Sequence, residues 1–400
     1  MLESRKGALA GLRVLDLTRV LAGPFCGMIL ADMGADVIKV EEPEKGDDSR
    51  GFGPFIKGES AYYMNLNRNK RGITLNLKHP TGKNIFLKLV EKSDVVLENF
   101  RTGVMDKLGL GYEDLKKHNP GIVYAAVSGF GHYGPYKDRA GYDIISQAMG
   151  GLMSTTGWPD GSPTRTGTAM GDVLAGLSVT IGILAALKNR EATGVGQKVD
   201  VSLVDSVVAS LEIINQIYLA EGRVPTRIGN RYESVYPYDS FEVADGYIVI
   251  GVGNDKLWQK LCELMGDAKA AANPDWLLNR NRVAKHGEVK PVVERWTKQL
   301  KTNDVLKKLE GAGIPCAPIY SIDQVVHDPH IGGAREMFVE IDHPKAGKTK
   351  LTGAHIKMSD TNPCVRTPSP LLGQHNEEVL TALLGCVKEE VQKMRDEKVI

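Results

Sequence analysis

The sequence predicts an α/β protein with a doubly wound parallel sheet and a second, smaller α+β domain. Short β-rich runs alternate with helical stretches from Leu12 to Ser128. Because parallel strands need helical crossovers, this alternation favours a parallel sheet. The composition, with 42% hydrophobic and 25% charged residues, is that of a globular protein and excludes collagen-like, coiled-coil and disordered classes. A chain of 400 residues is long enough for two or three domains.

The predicted elements follow in a regular order. A first βαβ unit consists of a strand at 12–17, a helix at 25–33 and a strand at 36–41. Further strands are predicted at 73–77, 94–97 and 122–128, with helices at 81–92 and 112–118. The segment 129–170 is rich in Gly and Pro, so we expect loops there. An apolar helix then follows Gly171-Asp172, and another is expected at about 203–220.

A change of composition at 223–230 marks a predicted domain boundary. A β-hairpin is expected at 238–242 and 247–252, with helices at 255–265 and about 288–309. We therefore predict a first domain at 1–222, a small α+β domain at 223–325, and a return to the first domain at 326–400.

Charge and cysteine usage limit the classes of partner. Lys and Arg number 50 against 49 Asp and Glu, so no general field attracts nucleic acid or an anionic membrane. The five cysteines are far apart and lack a C-x-x-C pair, which argues against a disulfide framework or a zinc site. Residues 1–6 lack a signal-peptide apolar segment, and the apolar run 173–187 is shorter than the roughly 20 residues that span a bilayer. We expect a cytoplasmic protein in which this run is a buried helix.

The first strand-to-helix turn is one candidate binding site. It reads Arg19-Val-Leu-Ala-Gly-Pro24 and lacks the G-x-G-x-x-G pattern of a dinucleotide site. Its helix N-terminus is still open to an anion, although the same residues also suit a tight helix start. Basic side chains beside predicted strand ends are a second signal, because such ends converge on one edge of the sheet. For each of them a solvated surface charge is the alternative: Arg68, Lys70, Arg71, Lys78, Arg101, Lys107, Lys137 and Arg139.

Asp172 stands at the start of the apolar helix, beside Gly171. By itself it is typical of an N-cap, because an aspartate accepts the free N–H groups of a first turn. The alternative is a carboxylate nucleophile, which attacks a thioester carbonyl where water is excluded and N–H donors stabilise the oxyanion. The residues alone leave both interpretations open.

Taken together, the ordered motifs resemble the family III CoA-transferases, which include formyl-CoA:oxalate, carnitine and succinyl-CoA:dicarboxylate CoA-transferases. The resemblance covers nearly the whole chain. Its motifs are Leu9-Ala-Gly-Leu-Arg-Val-Leu-Asp-Leu-Thr-Arg-Val-Leu-Ala-Gly-Pro24, Gly34-Ala-Asp-Val-Ile-Lys-Val-Glu41, Gly46-Asp-Asp, Asn67-Arg-Asn-Lys-Arg71, Val96-Leu-Glu-Asn-Phe100, Ser128-Gly-Phe-Gly131, Gly171-Asp172, Thr193-Gly-Val-Gly-Gln197 and Pro370-Leu-Leu-Gly373.

The resemblance implies a Rossmann-like large domain built from both chain ends, a small domain between them, and an interlocked homodimer. It implies that Asp172 takes the acyl group as an aspartyl anhydride and then carries CoA as an aspartyl thioester. CoA and acyl-CoA would be co-substrates, with no permanently bound cofactor and no metal. The implied CoA contacts are Val20, Leu21, Ala22, Leu75, Lys78, Asn99, Phe100, Arg101, Lys107, Arg139 and Tyr142.

Departures from the family pattern bear on the substrate. Leu21 replaces a Gln of the formyl-CoA:oxalate enzymes, and their glycine-rich loop is absent here. The segment 165–172 is closer to the succinyl-CoA:dicarboxylate members, so succinyl-CoA or a similar donor is expected. The related α-methylacyl-CoA racemases use a His in Gly-His-Asp, whereas this chain has Gly141-Tyr-Asp143. Because a tyrosine has an ordinary pKa near 10, the racemase is the weaker alternative. An inactive acyl-CoA-binding relative is a further one.

Overall fold

The computed structural model describes residues 7–400, so the first six residues, which bear on the expectation about export, lie outside the described range. Its strands are β1 (Arg13–Asp16), β2 (Asp36–Glu41), β3 (Phe55–Ile56), β4 (Glu59–Ser60), β5 (Arg71–Thr74), β6 (Val95–Glu98), β7 (Val123–Ser128), β8 (Lys198–Ser202), β9 (Tyr238–Val243), β10 (Gly246–Gly251), β11 (Cys316–Pro318), β12 (Phe338–His343) and β13 (Gly347–Thr352).

Its α-helices are α1 (Ala22–Asp32), α2 (Ala61–Leu66), α3 (Pro80–Val90), α4 (Val104–Lys107), α5 (Tyr112–His118), α6 (Asp143–Met149), α7 (Leu152–Thr155), α8 (Met170–Thr193), α9 (Leu203–Ser210), α10 (Glu212–Glu221), α11 (Asp255–Met265), α12 (Ala268–Ala272), α13 (Asn279–Ala284), α14 (His286–Thr297), α15 (Thr302–Gly311), α16 (Ile322–His327), α17 (Asn376–Leu384) and α18 (Lys388–Asp396).

Six strands form one parallel sheet in the order β5-β2-β1-β6-β7-β8. Numbered among themselves they run 3-2-1-4-5-6, the order of a doubly wound sheet. Leu15 of β1 lies opposite Ile38 on one side and Val96 on the other. The predicted parallel α/β sheet is thereby confirmed. The order reverses between β1 and β6, so a crevice is expected at the carboxyl ends of these two strands.

The sheet is buried on both faces because helices cover each of them. Successive residues of a strand point to opposite faces. Val14 packs with residues of α1 and α8, whereas Leu15 packs with residues of α3, α17 and α18. Both side chains are fully buried. The C-terminal helices therefore complete a core that begins at the N-terminal strands.

The chain divides into two compact units. The first comprises the described residues up to Leu152 together with 165–222 and 329–400, and the second comprises 153–164 and 223–328. The segment 153–164, which the sequence analysis placed in the first domain, groups with the second unit. Within that unit, the Arg227 guanidinium donates to the carbonyl of Gly161 over 2.6 Å. Gly229 leaves room for the ring of Trp158, which a Cβ would approach to 2.5 Å.

The second unit contains the antiparallel sheet β11-β10-β9, with a core around Phe241 and Trp258. The helix predicted at 288–309 is two helices, α14 and α15, because the chain turns where the Leu300 N–H donates to the Thr297 carbonyl. In the first unit, the helix predicted at 203–220 is also two, α9 and α10, bent by 75°. At that bend the Val208 carbonyl accepts both the Leu211 N–H and the Asn215 side-chain amide.

Helix α8 is longer and more exposed than predicted. It has 24 residues, and only 44% of its most apolar 18-residue window is buried, so the expectation of a buried helix is wrong in part. Ile181, for example, is 68% exposed. Length and composition alone would let α8 cross a membrane, as would the bent pair α9 and α10 taken as one span, but core helices of soluble proteins meet the same criteria.

Candidate active site

A cavity of about 650 Å³, here the larger cavity, lies where the sheet order reverses. Residues 19–22 line it from the turn after β1, and residues 99–102 from the turn after β6. The end of β7, residues 139–142, the residue Leu203 after β8 and Asp172 of α8 also line it, as do Asp48 and Phe52. A smaller cavity of about 340 Å³ shares Arg19, Phe100 and Arg101 with it. The crevice expected from the strand order therefore holds two adjoining cavities.

The two cavities contain most of the site residues implied by the sequence. Leu75 and Lys78 line the smaller cavity. Lys107 lines neither and is exposed, although its neighbours Val104 and Leu108 line the smaller cavity. The larger cavity brings the others together: Val20, Leu21, Ala22, Asn99, Phe100, Arg101, Arg139, Tyr142 and Asp172.

Asp172 lies in the first turn of α8 but does not cap the helix. The N-cap position is Ala169, which makes no side-chain capping bond. Instead the Gly171 N–H donates to Asp143 Oδ1 over 2.8 Å, so a more distant aspartate satisfies this turn. Within residues 7–400 the Asp172 carboxylate receives no hydrogen bond and forms no ion pair. The N-cap interpretation is therefore wrong for Asp172, and its carboxylate faces the larger cavity without a partner.

The environment of Asp172 disfavours its charged form. Burial, and secondly the nearby charge of Asp143, raise the pKa of Asp172 to about 7. Near neutral pH the carboxylate is thus partly protonated, and when ionised it is poorly solvated. Burial and the charge of Asp172 in turn raise the pKa of Tyr62 to about 12. Tyr62 therefore carries its hydroxyl proton at neutral pH, and the sequence analysis did not single out this residue.

Asp143 is itself held in place by the loop that leads to α8. Gln147 Nε2 donates to Asp143 Oδ2 over 2.8 Å, and Gln147 Oε1 accepts the Thr166 N–H over 3.0 Å. A guanidinium nitrogen of Arg165 lies 3.7 Å from Asp143 Oδ2. Asp143 therefore has the partners that Asp172 lacks, and Asp143 and Gln147 are further site residues that the sequence analysis missed.

Helices α1 and α8 approach closely beside Asp172. A Cβ on Gly176 would lie 2.8 Å from the Ala22 carbonyl oxygen and 3.0 Å from the Phe25 ring. Residues i and i+4 of a helix share a face, so the face of α8 that carries Asp172 meets the start of α1. No side chain caps α1 at its N-cap Leu21, and the first N–H groups of any helix lack intrahelical acceptors. Carboxylate and N–H donors thus border the same cavity.

The turn after β6 is shaped by Glu98, the last residue of that strand. Glu98 accepts the Phe100 N–H over 2.8 Å and the Tyr124 hydroxyl over 3.1 Å. Burial raises the pKa of Glu98 to about 7. Because Phe100 lines both cavities, this buried carboxyl sets the position of the wall they share.

Other chemistries have little support at this site. No histidine lines either cavity. Among residues 7–400, no group of three or more His, Cys, Asp or Glu side chains is placed to hold a metal ion. The chemistry of the larger cavity is therefore that of a carboxylate among arginine, tyrosine and backbone groups.

A doubly wound sheet with an unpaired carboxylate at its switch point defines the class, an α/β enzyme suited to covalent group transfer. The model of CoA-transferase family III matches residues 9–376, so the chain belongs to that family. The resemblance found in the sequence is thereby confirmed. The protein is an enzyme, a CoA-transferase whose co-substrates are CoA thioesters.

Known relatives align over almost the entire chain. It is 42% identical to a succinyl-CoA:mesaconate CoA-transferase of Haloarcula marismortui, over 94% of this chain and 96% of the relative. It is 41% identical to a succinate–glutarate CoA-transferase of Agrobacterium fabrum, over 96% and 97%. The solved structure of a CAIB/BAIF family protein from Brucella suis matches with a TM-score of 0.83 and 40% identity. The match covers 94% of this chain and 100% of the Brucella chain.

Proposed function

We propose that this enzyme exchanges CoA between succinyl-CoA and a second dicarboxylic acid, with Asp172 as the covalent carrier. The observation that carries the proposal is the partly buried Asp172 carboxylate, which lines the larger cavity and has no hydrogen-bond partner among residues 7–400. The relatives named for succinyl-CoA with mesaconate, and for succinate with glutarate, support this choice of substrate class.

In the first half of the reaction, an ionised oxygen of Asp172 attacks the thioester carbonyl. The C–S bond breaks, CoA leaves as a thiolate, and an acyl aspartyl anhydride forms. The thiolate then attacks the aspartyl carbonyl, which releases the first acid as its carboxylate and leaves Asp172 as a CoA thioester. The acceptor carboxylate repeats the two steps in reverse, which regenerates Asp172. No net proton is needed, and water must be kept out because it would hydrolyse the anhydride.

The surroundings of Asp172 suit these steps. A carboxylate without hydrogen-bond donors keeps its electron pairs available for attack. We propose the N–H groups at the start of α1, which no side chain caps, and the protonated Tyr62 hydroxyl as the donors for the developing oxyanion. The racemase alternative lacks support, since no histidine lines the cavity to move a proton at an α-carbon.

We place the adenosine end of CoA in the smaller cavity and the thioester in the larger one. Leu75, Leu77 and Phe100 give the smaller cavity an apolar wall for a base, and Lys78 and Arg101 supply charge for phosphates. Asn99, Phe100 and Arg101 then follow the pantetheine arm towards Val20–Ala22. Lys107 lines neither cavity, so the proposed contacts leave it out.

The acid end of a dicarboxylate needs a cation in the larger cavity. Arg139 and Tyr142 line it, and the Arg139 guanidinium stacks on Tyr136 at 3.9 Å from the ring centroid. We propose that Arg139 meets the distal carboxylate. A panel of acceptor acids, tested with succinyl-CoA, checks this: the rate should favour dicarboxylates over monocarboxylates of equal length, and equal rates would contradict the proposed substrate class.

The covalent step is tested by trapping. Wild-type enzyme, succinyl-CoA and hydroxylamine should yield an aspartyl hydroxamate at position 172, detected by intact-protein and peptide mass spectrometry. Asp172→Asn and Asp172→Ala should give none and should retain less than about a hundredth of the transfer rate. Asp205→Asn, which alters another aspartate in the first turn of a helix, is the matched control and should retain activity. A folded wild-type enzyme that binds succinyl-CoA without a hydroxamate would instead indicate an inactive acyl-CoA-binding relative, and α-deuterium exchange without acceptor would indicate a racemase.

We also propose that the active form is a cytoplasmic homodimer of interlocked chains. Exposed apolar side chains on three neighbouring helices of the first unit support a partner there, since large exposed apolar surfaces mark interaction sites. They are Ile181 on α8, Val208 on α9, and Tyr218 and Leu219 on α10. Light scattering of the purified enzyme should give twice the chain mass, and a monomer would reject the proposal.

A further inference from the structure

Val20, in the turn between β1 and α1, has a left-handed backbone with φ of 67°. A β-branched residue rarely adopts this conformation, which persists only where surrounding contacts hold it. Val20 and Leu21 line the same cavity as Asp172. The strained residue is thus part of the wall around the reacting carboxylate.

A buried ion pair holds this turn. The Val20 N–H donates to Asp47 Oδ1 over 3.1 Å, and Asp47 Oδ2 lies 2.6 Å from Lys39 Nζ. Lys39 Nζ also donates to the Thr18 carbonyl, so the pair contacts the turn on both sides of Arg19. Both charged side chains are fully buried. Ser49 completes the set, because its N–H and hydroxyl donate to Asp47 Oδ1 over 2.9 and 2.7 Å.

Stability alone does not account for this pair. A buried ion pair is often no more stabilising than apolar side chains of the same volume, so its charges point to another purpose. Arg19 itself is secured separately, since its N–H donates to Asn99 Oδ1 and its carbonyl accepts from Asn99 Nδ2, each over 2.8 Å. Of these contacts, only the one from Asp47 reaches the strained N–H of Val20.

We propose that Lys39 and Asp47 are positioning residues for acyl transfer: they hold Val20 in its left-handed conformation and so fix Leu21 and the start of α1 beside Asp172. This inference rests on the proposed role of Asp172. Without the acceptor at position 47, Val20 would relax towards a negative φ and the wall residue Leu21 would shift. The step affected is transfer. Asp47 also lines the smaller cavity, but the apolar wall that we propose for CoA binding there, Leu75, Leu77 and Phe100, is unchanged by substitutions at positions 39 and 47.

The test compares two double variants that both lack the buried charges. Lys39→Met with Asp47→Asn keeps an oxygen acceptor for Val20, and Lys39→Met with Asp47→Leu removes it. We expect the first to keep kcat within about threefold of wild type and the second to lose about 30-fold or more, with KM for succinyl-CoA within about threefold in both. Adding Val20→Gly to the Leu variant should recover at least about fivefold, because glycine adopts a positive φ without strain.

Equal kcat in the two double variants, or no recovery with Val20→Gly, would overturn the inference. If the Leu variant does not fold, Lys39→Met with Asp47→Ala, which also removes the acceptor for Val20, takes its place. Its loss of kcat must be smaller in the Val20→Gly background, and independent effects reject the inference. Asp172→Asn separates the proposed covalent role of Asp172 from the proposed positioning role of Lys39 and Asp47. An active Asp172→Asn enzyme would contradict the covalent mechanism whatever the double variants show.

Discussion

Two aspartates on neighbouring walls of the crevice have opposite electrostatics. Burial works against the charge of both, but Asp47 has Lys39 and Ser49 as partners, and these lower the pKa of Asp47 to about 2. Asp172 has no such partner in the described part of the chain, and burial with the nearby Asp143 raises the pKa of Asp172 to about 7. Depth alone therefore does not decide the protonation of a buried carboxyl in this fold; the partners do.

The difference separates a carboxylate that holds structure from one that is available for chemistry. A carboxylate whose lone pairs are all engaged is a poor nucleophile, and one without donors is costly to keep ionised. The crevice places the two kinds side by side: Asp47 fixes the turn of Val20, and Asp172 lines the cavity beside that turn. Substitutions that remove the partner of Asp47, or the charge of either aspartate, test this difference most directly.

The largest expected effect comes from removing Asp47 from its ion pair with Lys39. Asp47→Ala leaves the fully buried Lys39 ammonium without its partner, so the free energy of unfolding should fall by about 3 to 5 kcal/mol, measured by urea denaturation at pH 7.5. The control is Asp48→Ala, which removes a surface contact of 3.3 Å to Arg19 and should cost less than about 1 kcal/mol. Equal losses in the two variants would show that the buried pair does not stabilise the crevice.

The raised pKa of Asp172 should appear in the pH dependence of acylation. Only ionised Asp172 attacks the thioester, and its pKa is about 7, so the rate at which the first acid, succinate, is released should fall about tenfold per pH unit below 7. At pH 5 this is roughly a hundredfold loss, and above about pH 8 the rate should be constant. A rapid-quench assay of succinate released from succinyl-CoA in single turnovers without an acceptor acid measures it, with circular dichroism as the check on folding. A flat profile from pH 5 to 8 would contradict the raised pKa.

The contact between α1 and α8 offers a test of geometry without a change of charge. Gly176→Ala puts a Cβ 2.8 Å from the Ala22 carbonyl oxygen, which should cost about 1 to 3 kcal/mol of stability and lower kcat at least tenfold. Gly182→Ala is the matched control on the same helix, since its Cβ would lie 2.6 Å from Val199 Cγ1, away from the residues that line the cavities. It should lose similar stability and keep kcat. Equal losses of kcat would mean that general destabilisation, not the position of α1, is responsible.

The sequence predicted the parallel core well because its strands are buried apolar runs. β2 has the predicted bounds, and β7 differs by a single terminal residue. β8 was missed because it lies at the sheet edge and carries the charged residues Lys198 and Asp200, which weaken the pattern. The break between α9 and α10 was missed because apolar spacing continues through Leu211.

The candidate site shows the same limit at the level of side chains. Spacing identified Asp172 but could not choose between cap and nucleophile, since the choice depends on Asp143, which reaches Gly171 only in the folded chain. Asp47 was noted only as part of a motif, because nothing in the sequence shows that Lys39 lies against it. Local patterns therefore gave the position of the candidate nucleophile, and long-range contacts determine its chemistry.

The smallest expected effect is the change in the free energy of unfolding when each aspartate is replaced by asparagine. This measurement compares Asp172 and Asp47 directly. Because folding raises the pKa of Asp172, its stabilising contribution is present below about pH 4 and is lost as the pH rises through about 7. Asp172→Asn should therefore raise the free energy of unfolding by about 1 to 2 kcal/mol at pH 8, a value reduced for its partial exposure, and by close to nothing at pH 4.

Asp47→Asn should do the opposite. Folding lowers the pKa of Asp47 to about 2, so its contribution is present above about pH 4 and is lost as the pH falls towards 2. The substitution should destabilise the protein at pH 8, and the penalty should shrink in acid. Urea unfolding of both variants against wild type at pH 2, 4 and 8 measures the pair, because the penalty for Asp47→Asn persists at pH 4 and shrinks only towards pH 2. The same sign for both at pH 8 would mean that the two carboxyls share one environment, which the contacts of Asp47 with Lys39 and Ser49 contradict.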